Sequence, residues 1–133
     1  MIHSTANIYD SAEIGQDTKI GAFSEIGHKV IVGKGCSIGY GVFIPENVII
    51  EDNVFIGPGT VFTNDKYAPS KGKWRDEPPT IIRSGASIGT NSTILPNLVV
   101  GYNAKIGAGS VVTKNVEDEC IVCGNPAKKI KKR

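Results

Sequence analysis

The sequence of 133 residues predicts an all-β chain wound as a parallel β-helix of about five triangular coils. Three observations carry this reading. An aliphatic residue recurs every sixth position, a small or apolar residue stands four places after each one, and no helical period competes with them. Stepping by six from Ile2 meets Ile8, Ile14, Ile20, Ile26, Val32, Ile38, Ile44, Ile50, Ile56 and Phe62, then, after a break, Ile82, Ile88, Ile94, Val100, Ile106 and Val112. Sixteen of these 17 positions are Ile or Val. The companion position runs from Ala6 through Cys36 and Thr60 to Ala104, Ser110 and Val116. Six residues therefore make one short strand and one tight turn, and three such units close a coil of 18 residues. Coils stack at the interstrand spacing of ~4.8 Å, so the core becomes a ladder of like upon like.

Each element follows in order. The coils cover residues 2–63 and 80–117, a loop occupies 64–79, and a tail runs over 118–133. Glycine often follows the aliphatic position, as at Gly15, Gly33, Gly57 and Gly89, and is read as accommodating the strained dihedrals of a tight turn. From Phe62 to Ile82 the frame is interrupted by a polar stretch with three prolines and the only Trp. The simplest register inserts 14 residues at one corner; loops this long in compact domains are usually functional or disordered. The residue before each inward aliphatic points outward. On one face these are Asn7, Glu25, Phe43, Val61, Thr93 and Val111, on the next Glu13, Ile31, Ile49, Ile81 and Val99. The third carries mostly polar ones. Two outward apolar faces predict a subunit interface.

Composition narrows the partners. Net charge is +2, yet five of the last six residues are basic, leaving −3 for the rest. A basic tail on a mildly acidic body suits an anionic ligand such as a phosphate. Aromatic residues are not interleaved with basic ones on a single face, which excludes a nucleic-acid platform. Cys36, Cys120 and Cys123 are expected to be small apolar fillers, because one Cys-x-x-Cys without a second pair makes no metal site. No leader-like or membrane-length apolar run is read, so the expected compartment is the cytoplasm.

The corner between the two apolar faces carries a column of polar residues 18 apart: Asp10, His28, Glu46 and Asn64. The loop departs from Asn64. A polar column beside a long loop, between apolar faces, is the best candidate site, with Asn64, Glu46 and His28 as candidate catalytic residues.

The hexapeptide period is similar to that of the left-handed β-helix acyltransferases. The resemblance, not the periodicity, implies left-handed winding, an exception to the usual crossover rule, and a homotrimer. Gly57 to Asp65 (GPGTVFTND) and Ser84 to Ile94 (SGASIGTNSTI) resemble bacterial nucleotide-sugar N-acetyltransferases, which acetylate an amino group on UDP- or dTDP-linked sugars. Their Phe-Thr-Asn motif matches Phe62, Thr63 and Asn64, and a carboxylate one coil earlier matches Glu46. The family usually continues to Pro-Arg, whereas here Pro69 precedes Ser70. On the donor side, Ile88-Gly89-Thr90 and Ile106-Gly107-Ala108 look like the coenzyme A segment. The resemblance implies that N–H groups at Thr90 and Ala108 bind the carbonyls of the acyl-donor substrate, acetyl-CoA. It implies that Thr113, Lys114 and tail residues including Lys128 and Lys131 approach its adenine and 3′-phosphate. Acceptors that are hydroxyls need a base, and relatives that acetylate them carry a loop histidine. Here the only histidines are His3 and His28.

The expected function is thus acetyl-CoA-dependent N-acetylation of a nucleotide-linked amino sugar for surface polysaccharide biosynthesis, without a metal. Three alternatives stay open: a sugar O-acetyltransferase using His28, a structural or binding solenoid, and a zinc carbonic anhydrase on the same scaffold, which takes three histidines per metal.

Overall fold

The computed structural model describes residues 1–132, with side chains described through Ile130. The chain is a left-handed parallel β-helix with three sheets as its faces. The first face holds six strands, beginning with Asn7–Ile8 and ending with Val111–Val112. The second holds five, from Glu13–Ile14 to Val99–Val100, and the third seven, from Lys19–Ile20 onward. The stack is thus about six turns high rather than about five: the 17 units of six residues, at three per coil, already come to nearly six. Residues read as a tail complete the last turn, since Cys120–Gly124 pairs in parallel with Lys105–Ile106, and Ala127–Lys132 folds back antiparallel upon it.

Register follows the ladder. Asn7 pairs with Glu25 and Ile26 with Ile44, 18 apart, whereas Phe62 pairs with Ile94 and Ile50 with Ile82, 32 apart. The difference is the 14-residue insertion, absorbed at one corner without shifting a rung. The last coil is instead two residues short, since Val100 bridges Val116 and Ile106 pairs with Val122, 16 apart. The shortening falls at Thr113–Asn115, a place where the period of six, simply continued, would set Val116 above Leu98.

The inward positions form one continuous core; Ile26, Ile44, Ile56, Phe62, Ile82 and Ile94 are fully buried. Each such side chain contributes about 1.5–3 kcal/mol relative to exposure. From Thr18 onward the small companion positions are buried as well, and their hydroxyls are satisfied. Thr18 Oγ1 donates to Gly33 O at 2.6 Å and accepts from Cys36 N at 3.1 Å, and Ser24 repeats this with Gly39 and Val42. Outside, Ile31, Phe43 and Val61 stay exposed, while Ile49, Ile81 and Val99 are half-buried.

One expectation is corrected. The glycines after the aliphatic position do not supply unusual dihedrals; they supply space. A Cβ on Gly89 would lie 2.5 Å from Ala108 N and 2.8 Å from Ala108 Cα in the coil above. The left-handed dihedrals fall two places later, where Asn53, Asn91, Asn103 and Gly109 sit at φ near +55 to +70°. Asn and Gly tolerate that region best.

Candidate functional site

The coil geometry gives three corners, each following one face. The corner after the first face carries Asp10, His28, Glu46 and Asn64 and gives rise to the loop. Asn64 Nδ2 donates to the backbone carbonyl of Glu46 at 3.3 Å, so these two residues form one unit. The loop returns over them. Arg75 lies with its guanidinium 4.3 Å from the Trp74 ring centroid and its Nε 3.9 Å from Glu46 Oε2. Asn47 and Asn97 clamp the loop's foot: Asn47 Nδ2 donates to the Glu77 carbonyl at 3.2 Å, and both side chains donate to the Pro78 carbonyl. Beneath the loop lies an open cavity of about 740 Å³, bordered by Asn64, Lys71, Lys73 and Trp74.

His28 belongs to a different group. Its ring meets Tyr9 edge-on, centroids 4.5 Å apart, and its Nδ1 shares a hydrogen bond of 3.2 Å with Ser11 Oγ. Asp10 borders the same shallow cleft. Among the described residues no hydrogen bond or ion pair joins His28 to Glu46. The column therefore divides into an upper pair, Glu46 and Asn64, under the loop and a lower pair, Asp10 and His28, outside it.

The corner after the third face carries Gly89-Thr90 directly below Gly107-Ala108, joined by Gly109 N donating to Thr90 O at 2.8 Å. Thr90 and Ala108 are exposed, and among the described residues their N–H groups have no acceptor. The N–H groups of His28 and Glu46 at the loop corner are open in the same way. The remaining corner is closed by side chains. Lys34 N donates to Asp52 Oδ1 at 2.9 Å, Ser84 N to Glu51 Oε1 at 3.0 Å and Tyr102 N to Asp118 Oδ1 at 3.0 Å. Glu51 also holds Arg83 at 2.8 Å, and that hydrogen bond is the main reason the guanidinium pKa is raised. Side chains thus cap four successive coils of the remaining corner, where only Gln16 and Asp118 at the two ends of the column keep open N–H groups among the described residues.

Thr113 and Lys114 stand not with Thr90 and Ala108 but at the top of the loop corner, across the first face. Lys114 shares a cavity of about 250 Å³ with Lys128 and Lys129 at the C-terminal end of the stack. The Lys131 side chain lies outside the described residues. Cys36 is buried, its Sγ donating to Glu51 O at 3.0 Å, and burial raises its pKa, so its thiol is unsuited to nucleophilic work. Among the described residues, no three His, Cys, Asp or Glu side chains group as metal ligands, and no helix is long and apolar enough to cross a membrane. Sequence reasoning missed Trp74 and Arg75 because nothing periodic locates a loop side chain; the single Trp in a polar insertion was the only signal.

The model of the bacterial transferase hexapeptide family, built of six repeats, matches residues 11–46, 30–64 and 79–114. No curated protein matches the chain. Among solved structures, the acetyltransferase domain of PglB from Neisseria gonorrhoeae, in complex with acetyl coenzyme A, is 25% identical with a TM-score of 0.84 over 97% of this chain and 56% of that one. A variant of perosamine N-acetyltransferase from Caulobacter crescentus, in complex with CoA and GDP-perosamine, is 20% identical with a TM-score of 0.85 over 98% and 55%. A variant of AntD, an N-acyltransferase from Bacillus cereus, in complex with dTDP and coenzyme A, is 24% identical with a TM-score of 0.85 over 99% and 80%. The chain therefore spans little more than half the length of the first two.

Proposed function

Because the chain belongs to the bacterial transferase hexapeptide family, we propose that it transfers an acetyl group from acetyl-CoA to the amine of a nucleotide-linked amino sugar, in the cytoplasm and for surface polysaccharide. The observation that carries this is the pair of open, exposed N–H groups at Thr90 and Ala108, stacked one coil apart on a corner of small residues. A pantetheine arm needs such a smooth backbone to lie against. The relatives bound to coenzyme A, with GDP-perosamine or dTDP beside it, support the substrate pair.

In this reading the amine lone pair attacks the thioester carbonyl, forming the C–N bond. The N–H of Thr90 stabilises the oxygen as it becomes negative. Collapse breaks the C–S bond, and the thiolate leaves with coenzyme A. Asn64 orients the amine, and the Glu46 carboxylate takes the proton the nitrogen gives up. Positioning supplies most of the acceleration, since a neutral amine needs little activation.

The donor and acceptor corners lie on opposite edges of the first face, so one chain does not bring Thr90 to Asn64. A homotrimer that seats the donor corner of one subunit against the loop corner of the next supplies the missing half. A heterologous contact closing by threefold rotation has that property, and the exposed Ile31, Phe43 and Val61 support burial between subunits. The test is thiol release from acetyl-CoA across a panel of UDP-, GDP- and dTDP-linked amino sugars, with the matching hydroxyl sugars as controls. Faster release with the hydroxyl sugars would select O-acetylation; no release with any would reject the transferase reading.

A further inference from the structure

The carboxylate of Glu46 already has a cation. Arg75 Nε stands 3.9 Å from Glu46 Oε2, and among the described residues no other cationic group lies within ion-pair reach of that side chain. The distance is too long for a hydrogen bond, so charge alone holds the pair. The Glu46 side chain is 23% exposed and that of Arg75 58%. A pair this open contributes little to stability, so stability does not explain why the loop sets a guanidinium there.

Several contacts fix its position. The guanidinium lies 4.3 Å from the Trp74 ring centroid, a cation–π contact. Gly72, in left-handed backbone at φ +92°, leaves the space it needs, because a Cβ there would lie 2.7 Å from Arg75 Nη1. The foot of the same segment is pinned to the residue beside Glu46, since Asn47 Nδ2 donates to the Glu77 carbonyl at 3.2 Å. Glu46 and Asn47, neighbours in one turn, thus hold both the guanidinium and the chain two residues beyond it.

An occupied carboxylate sorts incoming groups by charge. An ammonium can replace the guanidinium, one cation for another, and the carboxylate stays paired. A hydroxyl must displace a cation and offers only a hydrogen bond in return, which leaves both charges without their counterparts. Resting on the transferase reading above, we propose that Arg75 is a specificity-determining residue, a resident cation that reserves Glu46 for acceptors with an amine and bars those with only a hydroxyl. Once paired, the ammonium passes one proton to Glu46 and becomes the neutral nucleophile. The proton it sheds on forming the amide goes to the departing thiolate. Without Arg75 a hydroxyl reaches the carboxylate unopposed. Its oxygen then forms the C–O bond to the thioester carbon, its proton passes to Glu46, and the C–S bond breaks as the thiolate leaves.

The test compares transfer from acetyl-CoA to nucleotide-linked amino sugars and to their hydroxyl counterparts, in the wild type and in Arg75→Ala. The amine-to-hydroxyl ratio of kcat/KM falls about fivefold or more in the variant, the upper end for an exposed ion pair. Guanidinium chloride at low millimolar concentration restores the ratio, and sodium chloride does not, a rescue that a merely structural role would not show. An unchanged melting point verifies the fold, and Arg75→Gln replaces the alanine variant should that melt early. An unchanged ratio overturns the assignment, as does loss of amine transfer with no gain for the hydroxyl. A second readout needs no turnover. The chain has three arginines, Arg75, Arg83 and Arg133, so the Nε–H resonance of Arg75 is assigned by its loss in Arg75→Gln. Amino sugars shift it saturably and hydroxyl sugars do not; equal shifts by both, or none by either, overturn the assignment. A shift by amino sugars without any transfer sinks the transferase reading alone, and transfer to amines with an unchanged ratio in Arg75→Ala sinks the Arg75 assignment alone.

Discussion

Two glycines at the donor corner stand for different physical reasons, and alanine substitution separates them. Gly109 has φ +70°, and a Cβ there would meet nothing within 4 Å. Gly109→Ala therefore incurs only the left-handed penalty of about 1–2 kcal/mol, offset by about 0.4–1 kcal/mol because alanine restricts the unfolded chain. The net cost is about 1 kcal/mol. Gly89 has no positive φ, but its Cβ would sit 2.5 Å from Ala108 N, 2.8 Å from Ala108 Cα and 2.9 Å from Gly107 C. All three are backbone atoms, so no side chain can swing aside. The coils must part by about 1 Å to reach ordinary contact, against a spacing of ~4.8 Å. That opening strains the bonds from Gly89 N to Ile106 O and from Gly109 N to Thr90 O, both 2.8 Å. Two weakened bonds at about 1 kcal/mol each, with overpacking of about 1–3 kcal/mol, give roughly 3–5 kcal/mol for Gly89→Ala. Denaturant melts at one fixed protein concentration measure both variants, because oligomer stability depends on concentration. Gly109→Asn serves as control and costs almost nothing, since Asn91 holds the equivalent place one coil below. Gly89→Ala no more costly than Gly109→Ala would refute the close-approach account.

Three further outcomes are expected. Asn64→Ala lowers turnover by ~10²-fold or more, the scale for a positioned catalytic contact, whereas His28→Ala, outside the loop site, changes it little; steady-state kinetics of both variants decide, and the reverse ranking supports a hydroxyl acceptor. Ile44→Ala, in a fully buried position, costs about 2–5 kcal/mol in a denaturant melt. Lys114→Ala/Lys128→Ala, altering exposed lysines at the C-terminal cavity, weakens coenzyme A more than dephospho-coenzyme A in a binding titration if those lysines meet the 3′-phosphate; equal weakening assigns them elsewhere.

The ladder was legible because a solenoid repeats one steric condition every six residues, and Ile or Val satisfies it locally. The insertion was legible for the same reason: Phe62 and Ile82 fall back into frame around it. Other features depend on distances across coils, which no local pattern encodes. The recurring glycines were visible, as at Gly15, Gly33 and Gly89, but their cause, the backbone one coil above, was not. The return of Ala127–Lys132 across Cys120–Gly124 was hidden because both strands lie outside the sixfold frame. Within the candidate site, the adjacency of Asn64 and Glu46 was legible because their spacing puts them on one column. His28 shares that spacing, yet Tyr9 and Ser11 engage it from the coil below, and Arg75 reaches Glu46 from an aperiodic loop.

The antiparallel return at the C-terminal end has a bearing on self-association. A parallel β-helix is an open stack, and its last rung offers the same unpaired N–H and C=O groups that its own next coil would have used. Such an edge is a template for another copy, and repeated addition would grow a fibre. On the third sheet the growth direction is broken: the terminal strand Ala127–Lys132 runs opposite to the six beneath it. A second solenoid arriving in parallel register meets reversed polarity, and Lys128 and Lys129 add like charge at that edge. The reversal caps this one sheet against a further strand added in parallel.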